Sequence, residues 1–202
     1  MNAETAAGGD SPRVIEVTVV GDTGVGKSSL IYAYALDVHP WHVPNEVDQF
    51  LTEVEIDEKV HGLQISFVTD DVQDIEYGPS ADVFIVCFSV ANPHTLRSAK
   101  KDWIPTIRQY FPTTPIFLVG MKADLRTSYI HQKWLYMSVN GYQPVTKQKA
   151  KKVAKRFSNV KYVDCCSTRG QDVREVFKRV AKSALNRRAD ETMCPRSICT
   201  IM

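Results

Sequence analysis

The segment from Gly21 to Ser28 constrains the fold of this chain more than any other. It reads GDTGVGKS and fits the pattern G-x-x-x-x-G-K-[S/T] of a phosphate-binding loop, the P-loop. The apolar run from Val14 to Val20 predicts a strand before it, and residues 29–36 predict a helix after it. In this context the glycines turn successive backbone N–H groups toward one anion, and the amino terminus of the helix adds partial positive charge. We therefore expect a nucleotide at this loop.

Each part of the loop has a predicted role. Lys27 is expected to reach the outer phosphates, and the hydroxyl of Ser28 is expected to ligate Mg²⁺. The other predicted nucleotide-binding residues here are Thr23, Gly24, Val25, Gly26 and Ser29.

Composition and charge exclude several classes of protein. The chain has 202 residues, which suits one globular domain with short tails. A net charge of +2 is no signature of nucleic-acid binding, so no nucleic-acid partner is expected. No apolar run is long enough to span a membrane, and no signal peptide is evident. The five cysteines show neither metal-ligand spacing nor the density of a disulfide framework, and Cys87 and Cys165 are expected to be buried thiols in a reducing cytosol.

The rest of the chain alternates strands with helices. Residues 1–12 are small and polar and are predicted to be disordered. Further strands are predicted at 51–56 and 63–68, which form a hairpin, and at 81–90, 115–120 and 160–165. Helices are predicted at 94–110, where Pro105 should bend or restart the helix, and at 146–157 and 172–185. This pattern predicts an α/β fold with three layers and a mostly parallel central sheet, with the ligand at the carboxyl ends of the strands.

A second motif, Lys122-x-Asp124, indicates which base is bound. It ends an apolar strand and fits the guanine-specifying element [N/T]-K-x-D. A carboxylate at Asp124 can accept hydrogen bonds from N1–H and the 2-amino group of guanine, whereas adenine offers no such pair of donors. The stem of Lys122 can cover the face of the ring. The predicted cofactors are therefore GTP or GDP together with Mg²⁺.

Several further segments occur in the order found in one family. They are 43–50 (VPNEVDQF), 82–90 (DVFIVCFSV), 103–105 (WIP), 114–126 (TPIFLVGMKADLR) and 162–165 (YVDC). With these motifs the chain resembles the Ras-superfamily small GTPases, and their Rho/Rac branch in particular, from about Arg13 to Met202. The resemblance implies a P-loop NTPase G domain at 13–185 and a hypervariable tail at 186–202.

The resemblance also implies partners and a further contact with the base. Effectors would read the first switch around Val47, Asp48 and Phe50, and exchange factors are expected. Backbone N–H groups at Cys166 and Ser167 would read the O6 atom of guanine, in place of the family's S-A pair.

The chain departs from the family where the γ-phosphate is sensed and cleaved. Thr23 stands where the family usually has glycine, and there it would crowd the γ-phosphate and any inserted arginine finger. Asn45 stands where the first-switch threonine would ligate Mg²⁺. Met121 replaces a polar residue beside the base.

The second switch departs most. The family sequence D-T-A-G-Q-E corresponds to residues 69–74, TDDVQD, in either of two registers. In one, Thr69 replaces the metal-linked aspartate and Gln73 is the catalytic glutamine. In the other, Asp70 is the aspartate and Gln73 replaces the glycine. The segment before Asp82 is also shorter than in the family, so the usual switch helix is not expected.

The carboxyl terminus reads CTIM and fits the C-a-a-X pattern for prenylation at Cys199, with methionine favouring farnesyl. One prenyl chain anchors weakly, and Cys194 is a candidate palmitoylation site that would supply a second signal. These signals predict the cytoplasmic face of the plasma membrane or of endomembranes. The basic residues near the tail and on the predicted helix 146–157 are interpreted mainly as solvated surface, with a membrane-facing role as the alternative.

Two functions compete at this point. One is a switch with slow GTPase activity that stays mainly GTP-bound and signals to the cytoskeleton, polarity or membrane traffic. The other is a hydrolysis-deficient scaffold that recruits partners to membranes. A P-loop ATPase or kinase is a third interpretation, which Lys122-x-Asp124 opposes.

Overall fold

A computed structural model of the chain describes residues 14–37, 49–67, 71–76, 78, 81–133 and 141–193, with only the backbone course for 189–193. Within these residues the strands are β1 (Ile15–Val20), β2 (Gln49–Ile56), β3 (Lys59–Phe67), β4 (Val83–Ser89), β5 (Ile116–Met121) and β6 (Val160–Asp164). The helices are α1 (Lys27–Ala35), α2 (Pro93–Ser98), α3 (Ile104–Tyr110), α4 (Leu125–His131), α5 (Lys147–Ala154) and α6 (Gly170–Met193).

The strands form one sheet in the order β2-β3-β1-β4-β5-β6, in which β2 is antiparallel to β3 and the other pairs are parallel. All residues of β4 and β5 are buried, because helices cover both faces of the sheet. On one face α1 and α6 cover the sheet, where Phe177 of α6 packs in one cluster with strand side chains such as Val17 and Ile85. On the other, α2, α3 and α5 pack against side chains such as Phe84 and Leu118. The predicted three-layer α/β fold is confirmed.

The turn of the hairpin is tighter than predicted. Only Asp57 and Glu58 separate β2 from β3, and Ile56 pairs with Lys59. Both turn residues have positive φ, 49° and 64°, as a two-residue hairpin turn of this twist requires. The sequence predicts a loop from Asp57 to Gly62, but residues 59–62 pair with β2 and continue the ladder.

Pro105 restarts a helix, as predicted. Residues Ala99–Trp103 form a π-helical turn between α2 and α3, in which the N–H of Ile104 bonds to the carbonyl of Ala99. Proline lies in the first turn of α3, directly after the π turn. The extra residue of the π turn therefore sets the direction in which Trp103 points.

The last helix is longer than predicted, and it runs to Met193. Its extension is tied to the sheet through Arg188, which pairs with the carboxylate of Asp82, and through Arg187, which bonds to Thr114. These two arginines belong to the basic group near the tail, and both are engaged with the body of the domain. None of the helices in the described residues is long and apolar enough to cross a bilayer.

Candidate nucleotide-binding site

The predicted phosphate-binding loop lies between the carboxyl end of β1 and the amino end of α1. Three of its glycines have positive φ: Gly21 at 137°, Gly24 at 74° and Gly26 at 109°. Gly26 immediately precedes α1, so the N–H groups of the first helical turn open toward the loop. This is the backbone arrangement that cradles an anion at a helix amino terminus.

Lys27 closes the inner side of this loop. Its side chain is buried, and Nζ donates to the carbonyls of Gly21 at 2.6 Å and Asp22 at 3.1 Å. The ammonium group is thus fixed across the loop, where it can meet a phosphate. Beneath it, burial raises the pKa of the Cys87 thiol to about 12, which outweighs the lowering effect of the Lys27 charge. Cys87 is therefore a neutral buried thiol, as predicted.

A contact that the sequence did not reveal holds the loop from the opposite side. The indole Nε1 of Trp103 donates to Oδ1 of Asp22 at 2.7 Å, and the Trp103 side chain is 1% exposed. The W-x-P motif was the available signal, but it did not identify the partner. The bond turns the carboxylate of the loop toward α3 and away from the anion site.

Replacing Trp103 with phenylalanine should speed the release of GDP by about tenfold, because the lost bond to a charged acceptor is worth roughly 1.5–3 kcal/mol. The carboxylate of Asp22 would then be free to turn toward the phosphates and repel them. Stopped-flow release of a fluorescent GDP measures the rate. Asp22→Asn is the matched control, since its amide oxygen still accepts the bond. An unchanged release rate accompanied by lower thermal stability would mean that Trp103 only fills the core.

The predicted base-reading element joins the same site. Lys122 Nζ donates to the carbonyl of Gly24 at 3.0 Å, and the residue has a positive φ of 58°. The N–H of Ala123 bonds to the carbonyl of Cys165 at 3.2 Å. Among the described residues, none donates a hydrogen bond to the carboxylate of Asp124. Its acceptor oxygens are thus available for a base.

The loop after β6 completes this side of the site. The N–H of Cys166 bonds to Asp172 Oδ2 at 3.2 Å, and its thiol contacts the Thr168 hydroxyl at 3.0 Å. Within the described part of the chain, no acceptor takes the N–H of Ser167. Of the predicted pair, Ser167 is therefore the residue with a free donor, while the N–H of Cys166 holds the loop in place.

A half-buried network braces these two loops, and sequence reasoning missed it. Arg126, two residues after Asp124, bonds to Asp164 at 2.6 Å and to the Tyr162 hydroxyl at 2.9 Å. The Tyr162 hydroxyl in turn donates to Asp164. Burial alone would raise the pKa of Asp164, but the hydrogen bonds from Tyr162 and Arg126 hold the pKa below its ordinary value. The carboxylate is charged, and it fixes the spacing between the two loops.

Met121 supports the P-loop rather than the base. Its side chain is fully buried, and its Cε atom lies 3.5 Å from where a Cβ on Gly26 would be. The sequence predicts that Met121 makes no polar contact with the base. In the structure its side chain lies beneath the P-loop instead and makes an apolar contact there.

The second-switch segment is short and attached to α3. Val72–Ile75 form a single 3-10 turn that Asp71 caps by accepting from the N–H of Gln73. Ile75 is 1% exposed, and Glu76 accepts a hydrogen bond from the Tyr110 hydroxyl at 2.9 Å. The Gln73 side chain is exposed, and among the described residues no hydrogen bond links it to the P-loop. The structure does not bring this predicted catalytic residue into the site.

Several predicted residues lie outside the described residues. They are Asn45 and Asp70 of the metal site, Val47 and Asp48 of the partner surface, and the lipidation candidates Cys194 and Cys199. Phe50 is described, and its role as a partner contact is not supported. Its ring is 9% exposed and packs edge-on against Tyr32, with 5.1 Å between the centroids. Its neighbour Leu51 on the same strand is 77% exposed.

The residues fit a guanine nucleotide, and Ser28 is in place for Mg²⁺. Ser28 is half-buried in the first turn of α1, next to Lys27. The described residues contain no group of three His, Cys, Asp or Glu that could hold a metal ion. Such a site suits Mg²⁺, which binds few protein ligands and takes the rest from phosphate oxygens and water.

A comparison with protein families agrees with this geometry. The model of the Ras family matches residues 16–186 of the 202-residue chain. Proteins of this family bind GTP and GDP, generally with Mg²⁺, and interact with effectors and exchange factors. Because the match spans most of the chain, the protein belongs to the Ras family of small GTP-binding switch proteins.

Proposed function

We propose that this protein is an atypical member of the Rho/Rac branch that stays mainly GTP-bound, hydrolyses GTP weakly, and signals from a membrane. The observation that carries the proposal is a contrast within one site. Lys27 and Lys122, which we expect to contact the phosphates and the base, are both bonded to the P-loop, whereas Gln73 lies in a short turn attached to α3.

Tight binding is supported by hydrogen bonds that join the elements of the site. Lys122 connects the base-reading element to the P-loop at Gly24, and Trp103 anchors the same loop at Asp22. These bonds fix the P-loop relative to the base-reading element and to Trp103, and a site whose parts are held in place loses less conformational entropy on binding.

Weak hydrolysis is supported by two features. Thr23 is exposed in the P-loop, where its branched side chain would crowd an inserted arginine finger. An arginine finger is worth about 10³–10⁵ in rate. The turn at 72–75 is held by buried Ile75 and by the bond between Tyr110 and Glu76, and the Gln73 side chain is exposed on this turn.

The remaining parts of the proposal come from sequence motifs. Prenylation at Cys199, with palmitoylation at Cys194 as the second signal, would hold the protein at the cytoplasmic face of the plasma membrane or endomembranes. Effectors in cytoskeletal, polarity or trafficking pathways would bind near the first switch, including Val47 and Asp48. The alternative is a hydrolysis-deficient scaffold, which the fixed turn at 72–75 favours.

The nucleotide carried by freshly purified protein tests the proposal. We expect GTP, decaying more slowly than the roughly 3–5 × 10⁻⁴ s⁻¹ of an unassisted Ras domain. Released nucleotide is quantified by chromatography at intervals after purification. Thr23→Gly is the matched variant, and we expect little gain from it alone because Gln73 remains displaced.

Each outcome has a distinct meaning. No detectable turnover over days, with GTP retained, would assign the protein to the scaffold alternative. GDP in the fresh protein, or decay at the unassisted Ras rate, would contradict the proposal.

A further inference from the structure

The charge of the chain is distributed unevenly along its length. Residues 147–182, which form α5, β6 and the first half of α6, contain twelve lysines and arginines but only three acidic residues, a net charge of +9. Since the whole chain has a net charge of +2, the remaining residues sum to −7. An asymmetry of this size creates a field that attracts one class of partner.

These cations form one solvent-facing surface. All twelve side chains are exposed, while the apolar residues between them, such as Ala150 in α5 and Val176 in α6, are buried. Among the described residues, ion pairs engage only Lys147, Arg179 and Lys182. The other nine cations form no ion pair with a described residue.

Between the two basic helices lies an open edge of the sheet. Within the described residues, β6 pairs only with β5. The bonds from Ile116 N to Asn159 O and from Cys165 N to Gly120 O fix which backbone groups face β5. Since a parallel ladder alternates, the N–H and C=O groups of Val160, Tyr162 and Asp164 point outward. Such groups are a template for a further strand.

The edge is recessed between α5 and α6. An open cavity of about 1090 Å³ is lined here by five cations, among them Lys151 and Lys178, by Tyr162 and Val163 of β6, and by the carboxylates of Asp164, Asp172 and Glu175. It continues over α6 toward α1 and β2, where three more acidic residues line it. A strand bound in the recess would have its backbone against β6 and its side chains within reach of both rows of cations.

We propose that this surface, the β6 edge with the exposed cations of α5 and α6, docks an acidic, extended segment of a partner protein, which adds to the sheet as a strand beside β6. Main-chain hydrogen bonds give affinity in this mode, and the flanking side chains select acidic sequences. A flat bilayer would meet the outer faces of the helices but leave the outward groups of the recessed strand unused. The edge at β2 lies at the opposite end of the sheet, so the two edges can be occupied together.

A defined peptide tests the proposal on the full-length protein. The probe is an eight-residue peptide of alternating Glu and Val, titrated into isotope-labelled protein and followed by NMR. We expect shifts confined to β6 and the facing sides of α5 and α6. The matched probe has the same sequence and charge but N-methylated backbone amides. It should bind at least about tenfold more weakly, because N-methylation removes the N–H donors of the main-chain hydrogen bonds.

Charge-reversal variants test the exposed cations of α5 and α6. Lys151→Glu combined with Lys178→Glu should weaken the unmethylated peptide by about tenfold. Lys59→Glu with Lys101→Glu makes the same change in net charge at exposed lysines on other elements and should have no comparable effect. Both pairs should retain nucleotide, so this result is independent of the hydrolysis measurement.

Four outcomes would overturn the proposal. They are equal binding of the two peptides, equal weakening by the two pairs of variants, binding only to vesicles that contain phosphatidylserine, and self-association of the protein at this surface. The third would assign the surface to a membrane, and the fourth to a second copy of the chain.

Discussion

Asp124→Asn should lower the affinity for GTP and GDP by about 10²–10⁴, because two hydrogen bonds to a charged acceptor are each worth roughly 1.5–3 kcal/mol. The carboxylate lies at the start of α4 with no donor from the described residues, so its two oxygens can face N1–H and the 2-amino group. An asparagine keeps one acceptor and turns its amide donor toward a donor of guanine. A xanthine base has an oxygen at the 2-position and should therefore bind the variant better than guanine does.

Competition titrations with GTP, XTP and ATP measure the preference. Asp37→Asn is the control, since it makes the same chemical change at an exposed carboxylate just after α1 and should leave all three affinities unchanged. Equal affinities of wild type and Asp124→Asn for GTP would show that Asp124 does not read the base. Preference of the wild-type protein for ATP would revive the kinase or ATPase interpretation.

The fold was largely predictable because the sheet has two covered faces. Strands such as β4 and β5 must then be apolar at every position, and their runs stand out in the sequence. The nucleotide site was predictable at its loops, since Gly26 and Lys27 belong to one short contiguous motif. Both features are visible in short stretches of sequence, so they can be predicted without knowledge of the tertiary structure.

Contacts between distant residues were not predictable. Trp103 and Asp22 are 81 positions apart, and their bond depends on the π turn that aims the indole. The length of α6 depends likewise on Arg188 reaching Asp82, 106 positions away. Phe50 shows the same limit, because a motif places it in a partner-binding segment while packing against Tyr32 places its ring in the core.

Gly21→Ala should destabilise the protein by more than about 4 kcal/mol, the range reached only by severe steric or packing defects. A Cβ on Gly21 would lie 2.3 Å from the carbonyl oxygen of Cys87, and the residue has a φ of 137°. Cys87 lies in the buried middle of β4, which pairs with β1 on one side and β5 on the other, so its carbonyl cannot move without shifting a strand that is paired on both sides. The steric strain would arise at the junction between β1 and the P-loop.

Gly24→Ala is the matched control in the same loop. A Cβ there meets no heavy atom within 4 Å, and only the positive φ of 74° is penalised, at about 1–2 kcal/mol. Urea unfolding in saturating GDP compares the variants, because bound nucleotide stabilises both by mass action. If Gly21→Ala fails to fold, the soluble yields of the two variants are compared instead, and we expect a much lower yield for Gly21→Ala than for Gly24→Ala. Similar stability of the two variants would show that the close approach of Gly21 to Cys87 does not constrain the loop.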